Sequence, residues 1–249
     1  MSDELLLVER PGKKIYRDGD NLVKTFDKEY SKADILNEAL NNARVEETDL
    51  DMPHIKAVSV VDGCWSITMN YIEGATLEQL MAENPEKEDE YLDLFVSLQM
   101  TVHSKRVPML NMLTEKMQRK ISAADLDATA RYDLHTRLSG MKRHFKLCHG
   151  DFNPSNVIIG EDGKPYIIDW AHATQGNAAA DVARTYLLFY LQGKGDLGDK
   201  YLKLYCKKSD TAIQYVQKWI PIVAASRLVK APEEEKEFLH KWINVVDYE

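Results

Sequence analysis

The sequence predicts an α+β fold, with a five-stranded antiparallel sheet in its first third and mostly helices after it. Three observations carry this expectation. Up to Ile72, short β-branched and aliphatic runs are separated by turns that contain Gly or Pro. From Thr76 onward, apolar residues recur at the three- and four-residue spacing of amphipathic helices. One strand-turn-strand unit interrupts the helical part: Asn156–Gly160 and Pro165–Asp169, joined through Glu161-Asp162-Gly163. The chain therefore divides near Ile72 into residues 1–72 and 73–249.

The sheet begins with Glu4–Val8, Lys14–Arg17 and Asn21–Phe26, turned by Arg10-Pro-Gly-Lys13 and Asp18-Gly-Asp20. Ser31-Lys-Ala-Asp34 resembles a capping box, and Ile35, Leu36, Ala39, Leu40 and Ala43 continue it as a helix. Lys56–Val61 and Trp65–Ile72 complete the sheet across Asp62-Gly63, a strong hairpin signal. Thr76-Leu-Glu-Gln79 is a capping box that opens the helical region. Further helices are expected over 88–105, 108–121, 127–145, 197–207, 210–230 with a kink at Pro221, and 233–246. The arginines at 119, 131, 137 and 143 alternate with acids and read as solvated faces. His103, near the end of its helix, reads as a terminal or packing residue.

Length and composition bound the function. With 249 residues, 44% of them hydrophobic and 29% charged, the chain is an ordinary globular protein that can bury a sizeable core. A net charge of −8 argues against a nucleic-acid partner held by a general basic surface. No apolar run approaches membrane-spanning length, and the acidic start Met1-Ser-Asp-Glu4 is unlike a signal peptide, so a cytoplasmic protein without a membrane partner is expected. Cys64, Cys148 and Cys206 are widely spaced and odd in number, which indicates neither a disulfide framework nor a cysteine zinc site.

The chemistry concentrates in Leu147–Asp169. Asp151 precedes the first strand of the hairpin, Asn156 opens it and Asp169 closes the second. Antiparallel pairing would bring Asn156 and Asp169 together at one end. One carboxylate and one carboxamide outline an oxygen-donor site suited to Mg²⁺, which keeps several waters and takes further ligands from phosphates. Taken singly, each of the three residues reads as a turn, cap or strand-end residue. Their joint spacing favours a site.

The run His149-Gly-Asp-Phe-Asn-Pro-Ser-Asn156, followed by Ile168-Asp-Trp170, resembles the signature of the aminoglycoside phosphotransferase and choline kinase family, small-molecule kinases with a protein-kinase-like, bilobal fold. The resemblance implies transfer of the γ-phosphoryl group of ATP or GTP to a hydroxyl of a small molecule such as an aminoglycoside, choline, ethanolamine, a sugar or an amino alcohol. Asp151 would orient the hydroxyl and accept its proton, and Asn156 and Asp169 would hold Mg²⁺. The turn at Gly12 would cover the nucleotide phosphates, although a single glycine departs from a glycine-rich loop. Lys24, by itself an ordinary strand lysine, would contact phosphate. Glu38, at the margin of its helix's apolar stripe, would pair with Lys24. Asn70, Tyr71 and Ile72 match a hinge whose backbone meets the nucleotide base. Asp181 would brace the catalytic loop through its backbone amides or His149, which is compatible with its place in a helix first turn. Tyr186, Tyr190, Trp219 and Trp242 are candidate acceptor-pocket aromatics, with core packing as the other reading.

Other readings differ in chemistry. An atypical protein kinase shares such a loop, and a binding pseudoenzyme would keep the fold without turnover. A metal-dependent hydrolase could use His149, Asp151, Asp169 and His172 as ligands.

Overall fold

A computed structural model describes residues 4–244. In chain order these form β1 (Glu4–Arg10), β2 (Lys13–Asp18), β3 (Asn21–Phe26), α1 (Lys32–Val45), β4 (Ile55–Val61), β5 (Cys64–Asn70), β6 (Gly74–Thr76) and α2 (Leu77–Glu83). Then follow α3 (Glu88–Ser104), α4 (Leu113–Ala123), α5 (Ala128–Gly140), β7 (Lys146–Cys148), β8 (Val157–Gly160), β9 (Pro165–Ile167) and β10 (Thr174–Gly176). The chain closes with α6 (Ala178–Leu191), α7 (Gly195–Ser209), α8 (Ile213–Gln217), α9 (Ile220–Leu228) and α10 (Glu233–Ile243).

By packing, the described chain forms two compact units. The first comprises the residues up to Pro85 together with Pro154–His172. Its five-stranded sheet has the order β1-β2-β3-β5-β4, with every neighbour antiparallel. The Asp62-Gly63 hairpin turn takes the backbone form its residues favour, with both at positive φ. Phe26, Ile67 and Met69 face Ile35 and Ala39 of α1 and form the core beneath the sheet. Alternation along β3 and β5 points these side chains one way. Ser31 caps α1 by accepting from the Asp34 amide, and the Thr76–Gln79 capping box closes on both sides.

A division at Ile72 follows secondary-structure content, whereas packing draws two later pieces into the first unit. β6 pairs with β8 and β8 with β9, so the chain just beyond Ile72 joins a three-stranded sheet with the hairpin. The Ile167 amide donates to the Asp51 carbonyl, and Asn41 of α1 donates to the carbonyl of Ala171.

The second unit, Glu86–Asn153 with the described residues from Ala173 onward, is mostly helical and holds the two-stranded β7–β10 pair. Phe95 stacks on Phe152 at 4.6 Å and meets Phe189 and Tyr201 edge-on or tilted. Several helix ends differ from expectation. α4 begins at Leu113 rather than Pro108, because the Pro108 and Leu110 carbonyls accept from the Gln175 side chain instead of from a helical turn. α5 ends at Gly140, short of Phe145. The expected kink at Pro221 is a break: α8 stops at Gln217, and Pro221 sits in the first turn of α9, where its missing N–H costs nothing. The final helix is described as far as Ile243, so Val246 lies outside the described residues.

Candidate active site

In the first unit, polar side chains converge under the sheet. Lys24 on β3 is buried, and its ammonium donates to Glu38 Oε1 at 2.7 Å and to Asp169 Oδ1 at 3.3 Å. Strand alternation aims Lys24 at α1, and Glu38 lies one turn beyond Ile35 on the same helix face. Burial alone would lower the Lys24 pKa, but the adjacent carboxylates of Asp169 and Glu38 outweigh it and raise the value, so the side chain stays charged.

A second lysine joins them. Lys13, immediately after the turn at Gly12, donates to both Glu38 oxygens at 3.3 Å. Desolvation and the neighbouring Lys24 charge push its pKa down, against the pull of Glu38. Lys13 escaped the reading of the sequence because it begins a strand among other charges. The β2–β3 register, which opposes Ile15 to Lys24 and Lys13 to Phe26, places it on the same sheet face as Lys24.

Asp169 follows β9 in the left-handed region, at φ 64°. That conformation costs a non-glycine residue on the order of 1–3 kcal/mol and recurs at functional sites. The Ile168 amide donates to the Asn156 carbonyl, so the antiparallel hairpin does place Asn156 and Asp169 at one end. A carboxylate and a carboxamide there form an oxygen-donor pair whose chemistry fits Mg²⁺. Gly12 adopts φ 78° in a tight β1–β2 turn, and its carbonyl accepts from the Asp27 amide. At the segment matched to a hinge, the Asn70 amide donates to His54 and the Tyr71 amide to Asp20. Two of its three amides are thus committed within the protein.

The second unit holds the loop that starts at His149. Asp181, buried in the first turn of α6, accepts from the His149 amide at 3.1 Å and the Gly150 amide at 2.7 Å. Gly150 has φ 82°, a conformation that suits glycine and lets successive amides point at one carboxylate. His103 lies 3.0 Å from the same carboxylate through Nε2 and 2.7 Å from the Tyr205 hydroxyl through Nδ1. Burial acts to raise the Asp181 pKa, but the hydrogen bond and charge of His103, with His149 and the Gly150 amide, hold it below the usual carboxylate range. Thr185, one turn on, donates to the Phe152 carbonyl and accepts from the fully buried Gln99. Gln99 and His103 were legible only as polar interruptions of an apolar stripe on α3.

Asp151 itself is partly exposed, and its amide donates to His149 Nδ1 at 3.2 Å. Arg184 of α6 approaches it, Nη2 to Oδ1, at 3.7 Å. Desolvation lowers the Arg184 pKa and Asp151 opposes it. Arg227 of α9 forms two hydrogen bonds to Glu235 at 2.7 and 2.8 Å.

His149 is buried with Nδ1 engaged, His172 is exposed, and among the described residues no three His, Cys, Asp or Glu side chains gather to hold a metal. Trp219 is fully buried, while Tyr186 and Tyr190 donate to Asp199 and adjoin Trp242. Cys148 is buried, and desolvation raises its thiol pKa well above the ordinary value, which makes it inert. No helix among the described residues is long and apolar enough to cross a membrane.

A five-stranded antiparallel sheet carrying a Lys–Glu pair, and a helical unit containing a braced His-Gly-Asp loop, define a phosphotransferase of protein-kinase-like fold. The chain belongs to the phosphotransferase enzyme family, whose model matches residues 14–219. Comparison with curated proteins finds no match. Among solved structures, the chain is similar to a thermostable mutant of aminoglycoside phosphotransferase APH(4)-Ia in ternary complex with ADP and hygromycin B. They share 12% identity and a TM-score of 0.70, over 98% of this chain and 92% of that one. An aminoglycoside-3'-phosphotransferase of type VIII shares 14% identity at a TM-score of 0.67, over 92% of each chain. Choline kinase LicA from Streptococcus pneumoniae shares 15% identity at a TM-score of 0.59, over 97% of this chain and 92% of that one.

Proposed function

We propose that the protein transfers the γ-phosphoryl group of ATP or GTP to a hydroxyl of a small molecule. The observation that carries this reading is the buried Lys24 ammonium shared by Glu38 and Asp169, a fixed cation beside an oxygen-donor pair. Phosphoryl transfer passes through a loose transition state and needs positioning and charge compensation more than covalent chemistry. Lys24, held by Glu38, contacts the α- and β-phosphates, and Lys13 adds charge at the same carboxylate. Asn156 and Asp169 hold Mg²⁺, which neutralises charge on the phosphates when bound. Asp151 accepts the proton as the acceptor oxygen bonds to γ-phosphorus; the bond from γ-phosphorus to the β–γ bridging oxygen breaks, and its electrons leave with ADP or GDP. Asp181, His103, His149 and Thr185 brace the loop that presents Asp151. The Gly12 turn covers phosphate, and the chain from Asn70 to Ile72 receives the base.

The solved relatives support this choice, since one is described with ADP and hygromycin B and another, LicA, with AMP. The short path from Asp169 through β10 into α6 lacks the length of a protein-kinase activation segment and favours a small acceptor.

Thermal shift and coupled ADP release test the proposal. MgATP or MgGTP is expected to raise Tm in the wild type. Asp151→Asn is expected to keep that shift and lose at least about a hundredfold in turnover. Asp169→Asn is expected to lose the metal-dependent part of the shift. Stabilisation by metal without nucleotide, or near-wild-type turnover in both variants, would reject the assignment.

A further inference from the structure

At the phosphate end of the proposed site, in the first unit, the β1–β2 turn is short and fixed. Arg10 pairs with Lys13, so the turn itself holds only Pro11 and Gly12. Proline followed by Gly12 at φ 78° has the signature of a type II turn. The segment after β3 fastens it: the Gly12 carbonyl accepts from the Asp27 amide at 3.0 Å, and a Cβ at Gly12 would stand 3.1 Å from the Tyr30 ring. A glycine-rich loop grips phosphate with successive backbone N–H groups. Pro11 has no N–H, so this turn offers at most one amide of its own. A side-chain cation is the other group that can grip an anion there, and Lys13 is the first residue beyond the turn.

Its geometry suits that role. The Lys13 ammonium donates to Glu38 Oε1 and Oε2 at 3.3 Å each, and among the described residues these are its two hydrogen bonds. Both are longer than the about 2.7–2.9 Å of a well-made charge-assisted bond. Lys24 holds the short one, 2.7 Å to Oε1, so two ammonium groups lie within 3.3 Å of a single carboxylate oxygen. The Lys13 side chain is 16% exposed against 7% for Lys24, and its ammonium lies over the Phe26 ring, 5.1 Å from the centroid. Lys24 is thus the fixed member of the pair, and Lys13 is the one with looser bonds and a path outward.

We propose that Lys13 is a second phosphate-binding residue, whose ammonium exchanges Glu38 for the phosphate chain when nucleotide binds. It does with a side chain what a glycine-rich loop does with amides. This rests on the phosphotransferase reading and adds a residue to its nucleotide site. A lysine meets phosphate as a point charge on a flexible stem, so a change of rotamer is enough and no backbone need move. Glu38 keeps Lys24 after the exchange, and the pair that holds Lys24 in place is undisturbed.

The test uses the full chain and whichever of MgATP and MgGTP raises its Tm. Calorimetric titration is expected to show binding weakened about tenfold in Lys13→Met and largely kept in Lys13→Arg. Placed in a Lys24→Met background, Lys13→Met should weaken binding about severalfold further, because a contact of its own does not depend on Lys24. In the wild type, acetylation of Lys13 by N-hydroxysuccinimide acetate, followed by peptide mass spectrometry, should slow with the triphosphate and not with the nucleoside alone. That arm decides the matter even where a variant fails to fold. Three results overturn the proposal: wild-type affinity in Lys13→Met, an effect that vanishes in the Lys24→Met background, or acetylation unchanged by the triphosphate. The second would make Lys13 a positioning residue that acts through Glu38 and Lys24. Absence of a nucleotide-dependent Tm shift in the wild type would sink the phosphotransferase reading and this residue's role with it, whereas wild-type affinity in Lys13→Met alone leaves that reading standing.

Discussion

Lys24 and Lys13 share one carboxylate, Glu38, and the sharing has consequences at the level of single residues. With Lys24 replaced by Met, Glu38 retains Lys13, so the variant is expected to fold while its KM for nucleotide rises about tenfold or more, read by coupled ADP release. If Lys24 were only a structural ion pair, Tm would fall and the KM would stay. Lys116 supplies a pH dependence. Desolvation, with Arg184 and Lys120 beside it, lowers its pKa from the ordinary 10.5 to about 8, against the pull of Asp181 and Asp151. Between those two values the unfolded chain holds the proton and the folded protein has released it. Stability therefore gains as pH rises through that window. Lys116→Gln is expected to flatten that rise, as read from urea unfolding across the same pH window.

Among the elements, α6 organises the second unit. Asp181, Arg184 and Thr185 fall at helical spacing on one face, so a single rigid helix grips the loop amides, approaches Asp151 and holds the Phe152 carbonyl. Asp181→Asn leaves the shape but cannot accept from both amides and from His103 with the same strength, and a loss of about 1–3 kcal/mol in urea unfolding is expected. The acid side carries a further signature. The Asp181 carboxyl titrates lower folded than unfolded, so its contribution is present above the ordinary carboxylate range and lost as pH falls through the folded value. The variant should show a shallower fall in stability on acidification than the wild type. An unchanged slope would remove Asp181 from the brace.

On the scale of the molecule, the first unit is discontinuous in sequence. β8 supplies the strand that β6 pairs with, Asp51 receives the Ile167 amide, and α1 holds the carbonyl of Ala171. A fragment ending at Pro85 therefore lacks a strand pair and the partners of two polar groups. It is expected to melt without a cooperative transition, and fusion of Pro154–His172 through a flexible linker is expected to restore one, as followed by circular dichroism. A cooperative melt of the short fragment would show that the sheet and α1 suffice.

Much of this was legible in local chemistry. The strands, the two hairpins, the capping boxes and the spacing of Asp151, Asn156 and Asp169 follow from turn residues and periodicity, because each is settled within a few positions of the chain. The family assignment rested on the same short run and agrees with the match over residues 14–219. What the linear reading missed around the candidate site is non-local. Lys13 faces Glu38 only through strand register, and Gln99 and His103 reach the residues that hold the Asp151 loop only because α3 packs near α6. Arg184 had one available signal, its place three residues after Asp181 on the same helix face. Its nearness to Asp151 arises from packing of segments far apart in sequence. Spacing could single out the candidate reacting groups because they sit on one hairpin and one loop; the contacts around them come from several elements, and only the folded chain brings those together.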